Sequence, residues 1–257
     1  MICIAVDDGH GKETAGKRTP HFADGSYMPE NDFNAGVADM LIPMLNRCGF
    51  RTVAVAAEDT DVPLSVRVKR ANQAKADAYI SIHANAFGNG WNDANGVESW
   101  IYDKADAKTV RLGELVQKEL IKATKRKDRG LKKSGSLYVL NATHMPAVLV
   151  ECGFMTNREE ANLLLSNAYR KDCAKAICKA LCIYFGVAYQ EENKQEVEKE
   201  EEEDMKRYQK VEELPYGKET IQKLVDDGVL VGDKAGNLQL SEDMLRVFMI
   251  LDRKNLL

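Results

Sequence analysis

Apolar and polar positions alternate along the chain in two rhythms that take turns. Short runs rich in Val, Ile and Tyr at 2–7, 51–57, 78–83, 96–102, 137–140 and 147–151 read as strands. Several are apolar at nearly every position, which predicts a central sheet covered on both faces. Between them, apolar residues recur at helical spacing. In 31–48 the stripe is Phe33, Val37, Met40, Leu41, Met44 and Leu45, and it stops at Gly49. Segments 64–75, 106–125 and 168–185 read likewise, the last apolar on more than one side. The alternation predicts a layered α/β domain over residues 1–189.

Two loops break the rhythm. Residues 11–29 and 87–95 carry Gly, Thr, Pro, Asn and Asp without an apolar period. Both follow a histidine at or near the end of a strand, so both can wall a cleft. Trp91 in the second loop reads as an aromatic pin or a sugar-stacking surface.

Beyond residue 189 the pattern changes. Residues 190–204 hold nine acidic residues against Lys194 and Lys199, a net charge of −7 in a chain whose total is −4. This is an acidic linker, either disordered or a solvated helix. Residues 205–257 regain apolar content. Ile221, Leu224 and Val225 are helically spaced and stop at Gly228, residues 232–237 read as a turn, and Ser241 can cap a helix carrying Leu245, Phe248 and Met249. The expectation is a small, mainly helical C-terminal module. About 53 residues is little for an independent core, so docking or homodimerisation through this module would help it.

Composition narrows the function. Acidic and basic residues balance in the module, and the net charge elsewhere is near +3, so nucleic acid is not an expected partner. No apolar run approaches a membrane span. The N-terminus enters a strand directly, without the basic and apolar regions of a signal peptide, which suggests synthesis in the cytoplasm. Cys3, Cys48, Cys152, Cys173, Cys178 and Cys182 form no CxxC pair and lie in apolar surroundings. They read as buried free thiols, with Cys152 expected to point away from its neighbour Glu151.

Candidate chemistry gathers in four stretches: Val6-Asp7-Asp8-Gly9-His10-Gly11, Pro29-Glu30-Asn31, Ser81-Ile82-His83-Ala84-Asn85-Ala86 and Val150-Glu151-Cys152-Gly153-Phe154. Two imidazoles and a carboxylate can hold zinc and leave a coordination position open for water. A further carboxylate, Glu151, can then carry the proton. His10 and His83 end strands, where open α/β sheets place their sites. Spacing alone leaves blander readings open: a loop histidine, and a Glu that serves the helix dipole. His21 and His144 read as surface or loop residues, and Arg129 and Lys133 as solvated.

The ordered set resembles the zinc-dependent N-acetylmuramoyl-L-alanine amidases of the type 3 class, over most of residues 1–185. Asp-x-Gly-His-Gly, the Glu before the first helix, Ser-Ile-His-Ala-Asn-Ala and Val-Glu-x-Gly-Phe-x-x-Asn carry the resemblance, with Ser65-Val66-Arg67 and Ala71-Asn72 matching a helix of the family. It implies a twisted sheet flanked by helices, one zinc ion held by His10, Glu30 and His83, and Glu151 as the catalytic residue. Asp7 can orient His10 from behind or cap its strand, and Asn85 can bind substrate or hold the loop after His83. Family members usually carry Pro at the position of Asp8 and often Gly at that of Lys12. The extra carboxylate beside His10 bears on metal affinity or loop shape.

The resemblance further implies a peptidoglycan hydrolase that cuts the amide between N-acetylmuramic acid and L-alanine. A catalytic domain, charged linker and small tail module without a leader look like phage or prophage endolysins, which act at the bacterial cell wall. The tail would then bind the wall. A zinc peptidase cutting the stem peptide and a non-catalytic wall-binding protein are the alternatives, and the second predicts a missing ligand or a missing Glu151.

Overall fold

The computed structural model describes residues 1–191, 210–214, 217–232 and, beyond these, 237, 238, 240, 244, 245, 248 and 251. Two compact units divide the chain, Met1–Glu191 and Glu192–Leu257.

In the first unit six strands form one sheet: β1 (Cys3–Asp7), β2 (Arg51–Ala54), β3 (Ala78–Asn85), β4 (Val97–Tyr102), β5 (Asp128–Ser134) and β6 (Ala147–Phe154), in the order β2-β1-β3-β6-β4-β5. β2, β1, β3 and β6 run parallel, β4 is antiparallel to β6, and β5 is parallel to β4. Alternate side chains feed opposite faces. On one face Ile4, Val6, Ile80, Ile82, Val148 and Val150 pack under α1 (Glu30–Arg47), α3 (Ala107–Thr124) and α6 (Asn167–Phe185). On the other, Cys3, Ala5, Tyr79, Ala147 and Leu149 meet α2 (Leu64–Gln73) and the short α4 (Tyr138–Asn141). The four-residue α4 covers little of its face. Towards the carboxyl ends of β1, β3 and β6 that face turns polar, with Asp7, Ser81, His83 and Glu151. The fold class expected from the pattern holds, a mixed α/β domain with a central sheet flanked by helices.

Two local expectations fail. Residues 137–140, expected as a strand, open α4: a short apolar run satisfies either geometry, and here it folds back over the polar face of the sheet. The strand at that place is β5, whose Asp-Arg-Gly-Leu-Lys-Lys-Ser sequence hides it. β5 is an edge strand, so most of its side chains reach water and no apolar alternation is required. The helix α5 (Arg158–Leu165) is likewise not among the expected elements; it begins at Asn157, whose side chain accepts a hydrogen bond from the Glu160 amide.

Cys152 lies on the α6 side of the sheet, away from Glu151, as strand alternation requires. All six cysteines are free and buried. Of the acidic stretch, residues 192–204 lie outside the described residues, as do the expected cap Ser241 and most of the turn at 232–237. In the second unit α7 (Lys218–Asp226) ends just before Gly228, as its apolar spacing predicts. Leu214, Ile221, Leu224, Leu240 and Leu245 form a small apolar cluster there. Among the described residues, no helix is long and apolar enough to cross a membrane.

Glu160 ties α5 to the sheet. Its buried carboxylate accepts hydrogen bonds from the amides of Gly96 and Phe154 and from Arg126 Nε at 2.9 Å. Glu160→Ala strands two amides and a partly buried guanidinium. The expected cost is about 3–5 kcal/mol, read as a lower denaturant midpoint at unchanged m-value. A loss within about 0.5 kcal/mol would show that the bonds are replaced by water.

Candidate active site

The polar end of the sheet is built from a buried carboxylate outward. Asp7, 1% exposed, ends β1. Its Oδ2 accepts hydrogen bonds from Tyr79 Oη at 2.7 Å and Ser81 Oγ at 2.8 Å; its Oδ1 accepts from Arg67 Nη1 at 3.0 Å and from the Gly9 amide at 3.1 Å. Ser81 spends its proton on Asp7, so its oxygen must accept from His83 Nε2, 3.1 Å away. That fixes the imidazole tautomer and leaves the Nδ1 lone pair facing Glu30, a second partner orienting a potential ligand. Asp7 thus acts on His83 through Ser81 and caps the end of β1 by accepting from the Gly9 amide beside His10, the second of the two roles open to it from the sequence. Its link to His83 follows from register, because Asp7 pairs with Ser81 across β1 and β3.

His10 sits just past β1 in a tight turn. Gly9 has φ +71°, and a Cβ there would lie 2.5 Å from Asn34 Nδ2 and 2.8 Å from His83 Cε1. Only glycine allows both the turn and the approach. Asn31 Nδ2 donates to the His10 carbonyl at 2.5 Å, fastening the turn to the first residues of α1. Glu30 opens that helix, where the helix dipole favours a carboxylate. It is 2% exposed; Oε1 lies 2.8 Å from His83 Nδ1 and Oε2 lies 3.7 Å from His10 Nε2.

The donor atoms of His10, Glu30 and His83 all lie within 4.8 Å of one another. The electrostatics suit a cation. Burial lowers the His10 imidazole to about 4, so it is neutral and able to donate a lone pair. Burial raises Glu30, but the hydrogen bond and charge of His83, with His10, outweigh it and hold the carboxylate low. Burial lowers His83, yet the bond to Glu30 and the charges of Glu30 and Glu151 raise it overall. A proton on His83 therefore occupies the place a metal would take.

Glu151 neighbours His83 in register on β6 and faces Glu98 in register on β4. Its Oε2 is buried without a hydrogen-bond partner among the described residues. Burial pushes the carboxyl up to about 8; His83 opposes the rise, while Glu30 and Glu98 add to it. An orphaned acid beside three convergent donors is what a mononuclear hydrolytic centre requires of its proton carrier.

No motif marks Glu98 along the chain. It is 3% exposed and accepts from Asn85 Nδ2, Trp100 Nε1, Arg129 Nε and Lys132 Nζ. Burial raises its carboxyl, but the bonds from Lys132 and Arg129 outweigh that and keep it ionised. Arg129, expected to be solvated, is committed to this pair and lies 4.8 Å over the Phe154 ring. Asn85, a candidate for substrate binding, has both ends of its amide engaged, by Glu98 and by the Ala86 amide. It braces the loop after β3. His21 and His144 are exposed, as expected, and so is Lys133.

The two flanking loops are latched together. Trp91 Nε1 donates to the His21 carbonyl at 3.0 Å, its ring lies 5.3 Å from that of Phe22, and Arg158 lies 4.5 Å over it. Trp91 is a pin. A groove of about 280 Å³ runs between the loops, lined among others by Arg18, Thr19, Ala86 and Asn89. Asp8 faces elsewhere. It lines a cavity of about 190 Å³ with Asn31 and Asp39, and burial pushes its carboxyl up to about 7.

An open α/β sheet with a candidate mononuclear metal centre at the carboxyl ends of its parallel strands defines the class. Residues 4–182 match the family model described as N-acetylmuramoyl-L-alanine amidase, and the chain belongs to that family. It is similar to the amidase LytC of Bacillus subtilis, 35% identical over 71% of this chain but only 35% of LytC. It is also similar to the uncharacterised B. subtilis protein YqiI, 33% identical over 71% of this chain and 84% of that one. An endolysin of Bacillus phage SPP1 is 32% identical over 67% of the chain and 62% of its own length. Among solved structures, an N-acetylmuramoyl-L-alanine amidase from Clostridium difficile 630 superposes with a TM-score of 0.65 at 32% identity, covering 72% of this chain and 97% of that one.

Two tests follow from the geometry. Gly9→Ala should lower metal affinity by about 10–100-fold in equilibrium dialysis, since it displaces His10 and presses on His83; unchanged affinity would mean that the turn does not position the ligands. Metal uptake should also release the His83 proton. Apparent affinity then falls about tenfold per pH unit below the His83 pKa, and calorimetric binding heats depend on the buffer. Heats independent of buffer would place the proton elsewhere.

Proposed function

We propose that this chain is a zinc-dependent N-acetylmuramoyl-L-alanine amidase that solubilises bacterial peptidoglycan, with His10, Glu30 and His83 as ligands and Glu151 as the catalytic acid and base. The orphaned Glu151 oxygen beside the donor triad carries the reading. Bound zinc supplies Lewis acidity and a water ionisable near pH 7. Glu151 accepts the proton of the attacking water and returns it to the departing L-alanine nitrogen. Ser81 and Asp7 keep His83 in the tautomer that presents Nδ1. The latched loops give an extended substrate a groove to lie in.

The family match over residues 4–182 and the likeness to a phage endolysin support an endolysin; the second unit, which follows the matched residues, is assigned to wall binding on the order of the two units along the chain.

Glu151→Gln keeps the shape and removes the base. It should retain one zinc per chain by atomic absorption while turnover falls about 10²–10⁴-fold; an equally active variant would remove Glu151 from the mechanism. Mass spectrometry of purified peptidoglycan after digestion should show free stem peptides beginning with L-alanine and glycan with intact lactyl carboxylates. Cuts inside the stem peptide would make the protein a peptidase using the same centre.

A further inference from the structure

A second cluster of soft donors lies at the other end of α1. Cys178 and Cys182 are one turn apart on α6 and share a face of it. Cys48, which caps the carboxyl end of α1, meets them there. The three sulfurs lie within 4.8 Å of one another, with Cys48 Sγ 3.8 Å from Cys178 Sγ. All three residues are buried, Cys48 at 6%, Cys178 at 0% and Cys182 at 2% exposure.

The cluster has features that apolar packing does not demand. A single buried free cysteine packs as a small hydrophobe, but packing alone does not bring three sulfurs within 4.8 Å of one another. The Gln190 amide donates to Cys48 Sγ at 3.3 Å, so one sulfur of the cluster already serves as an acceptor.

We propose that Cys48, Cys178 and Cys182 form a metal site separate from the catalytic centre, a three-sulfur site for a soft monovalent ion of the copper(I) class. Among the described residues no imidazole or carboxylate belongs to this cluster, and soft thiolates select soft ions. Three ligands are one fewer than a structural zinc site takes, whereas a trigonal set suffices for copper(I). Each thiol that coordinates gives its proton to solvent and the ion keeps its oxidation state, so no oxidant or reductant is consumed. The way in lies beside Gln190, which is exposed and directly bonded to Cys48. α1 carries Glu30 at its start and is followed by Cys48, so the two centres stand about 27 Å apart along the helix. Filling one therefore leaves the ligands of the other untouched. The ion would cross-link α1 to α6 beneath residues 187–190, where the first unit ends.

The test is an anaerobic titration of the full reduced chain with copper(I) against a chromophoric copper(I) chelator, followed by X-ray absorption at the copper edge. One copper(I) per chain is expected, with sulfur alone in its first shell. His83→Ala, which disables the other centre, should bind it equally. Cys178→Ala and Cys182→Ala should each weaken retention by more than about 100-fold, beyond what loss of a supporting contact does, with circular dichroism confirming that they fold. Failure of the wild-type chain to hold copper(I) against the chelator would overturn the proposal. So would nitrogen or oxygen in the first shell, or undiminished retention in either folded cysteine variant. None of these readouts uses amidase activity, so they stand or fall separately from the catalytic reading.

Discussion

The candidate site hangs on one buried ion pair. Asp7 and Arg67 are 1% and 2% exposed and meet at 3.0 Å. Removing either alone would leave an unpaired charge in the interior, at a cost of about 3–5 kcal/mol. The pair persists because both partners are saturated. Asp7 accepts from Arg67, Gly9, Tyr79 and Ser81, while Arg67 also donates to the Val62 carbonyl and to Asp61. Each bond immobilises a different segment: the His10 turn through Gly9, β3 through Tyr79 and Ser81, and the loop before α2 through Val62 and Asp61. Asp61 in turn receives Thr14, and a Cβ on Gly11 would strike the Asp61 backbone. The turn carrying one imidazole and the strand carrying the other are thereby held in one frame.

That frame explains why the sheet changes character along its length. Where strands are flanked by helices on both sides they are apolar throughout, as Tyr79, Ile80, Val148 and Leu149 show. At their carboxyl ends one face loses its cover, and the inward positions become Asp7, Ser81, His83, Glu151 and, across the antiparallel junction, Glu98. A parallel sheet exposes such a row only at a strand terminus, because crossover helices cover it elsewhere. Loops 11–29 and 87–95 supply the missing walls, and the Trp91 bond to the His21 carbonyl joins them.

Much of this was readable in the residues. The strands bearing Asp7, His83 and Glu151 announce themselves by apolar runs, and the helix bearing Glu30 by its stripe, because their partners on both faces are core. The motifs at their ends resemble those of the amidase family, and that resemblance, not their spacing, implies the donor triad. What escaped were features set by distant neighbours. β5 owes its existence to pairing with β4, not to its own pattern. Residues 137–140 carry a strand-like composition that tertiary packing turned into a helix. Glu98 sits in an ordinary Val-Glu-Ser-Trp alternation, and its meaning depends on Arg129 and Lys132 about thirty residues later. Asp7 was visible as a residue of interest, but its true partner required the β1–β3 register.

The distribution of countercharges finally separates the four acids gathered at this end of the sheet, Asp7, Glu30, Glu98 and Glu151. Asp7 has Arg67, Glu98 has Arg129 and Lys132, and Glu30 has His83 at 2.8 Å with the neutral His10 imidazole beside it. Each is thereby tied to a fixed structural bond. Among the described residues Glu151 has no ion pair with Lys or Arg; it keeps an unpaired oxygen and feels the negative charges of Glu30 and Glu98 against the opposing charge of His83. The same low-dielectric setting that makes the paired acids stable makes this one reluctant to ionise. A positive ion held by His10, Glu30 and His83 would relieve that reluctance, and neutralising the ion's neighbourhood again would restore it. Proton affinity at Glu151 is therefore coupled to the charge of the adjoining centre, which lets one carboxyl take a proton and then release it without any change in the fold.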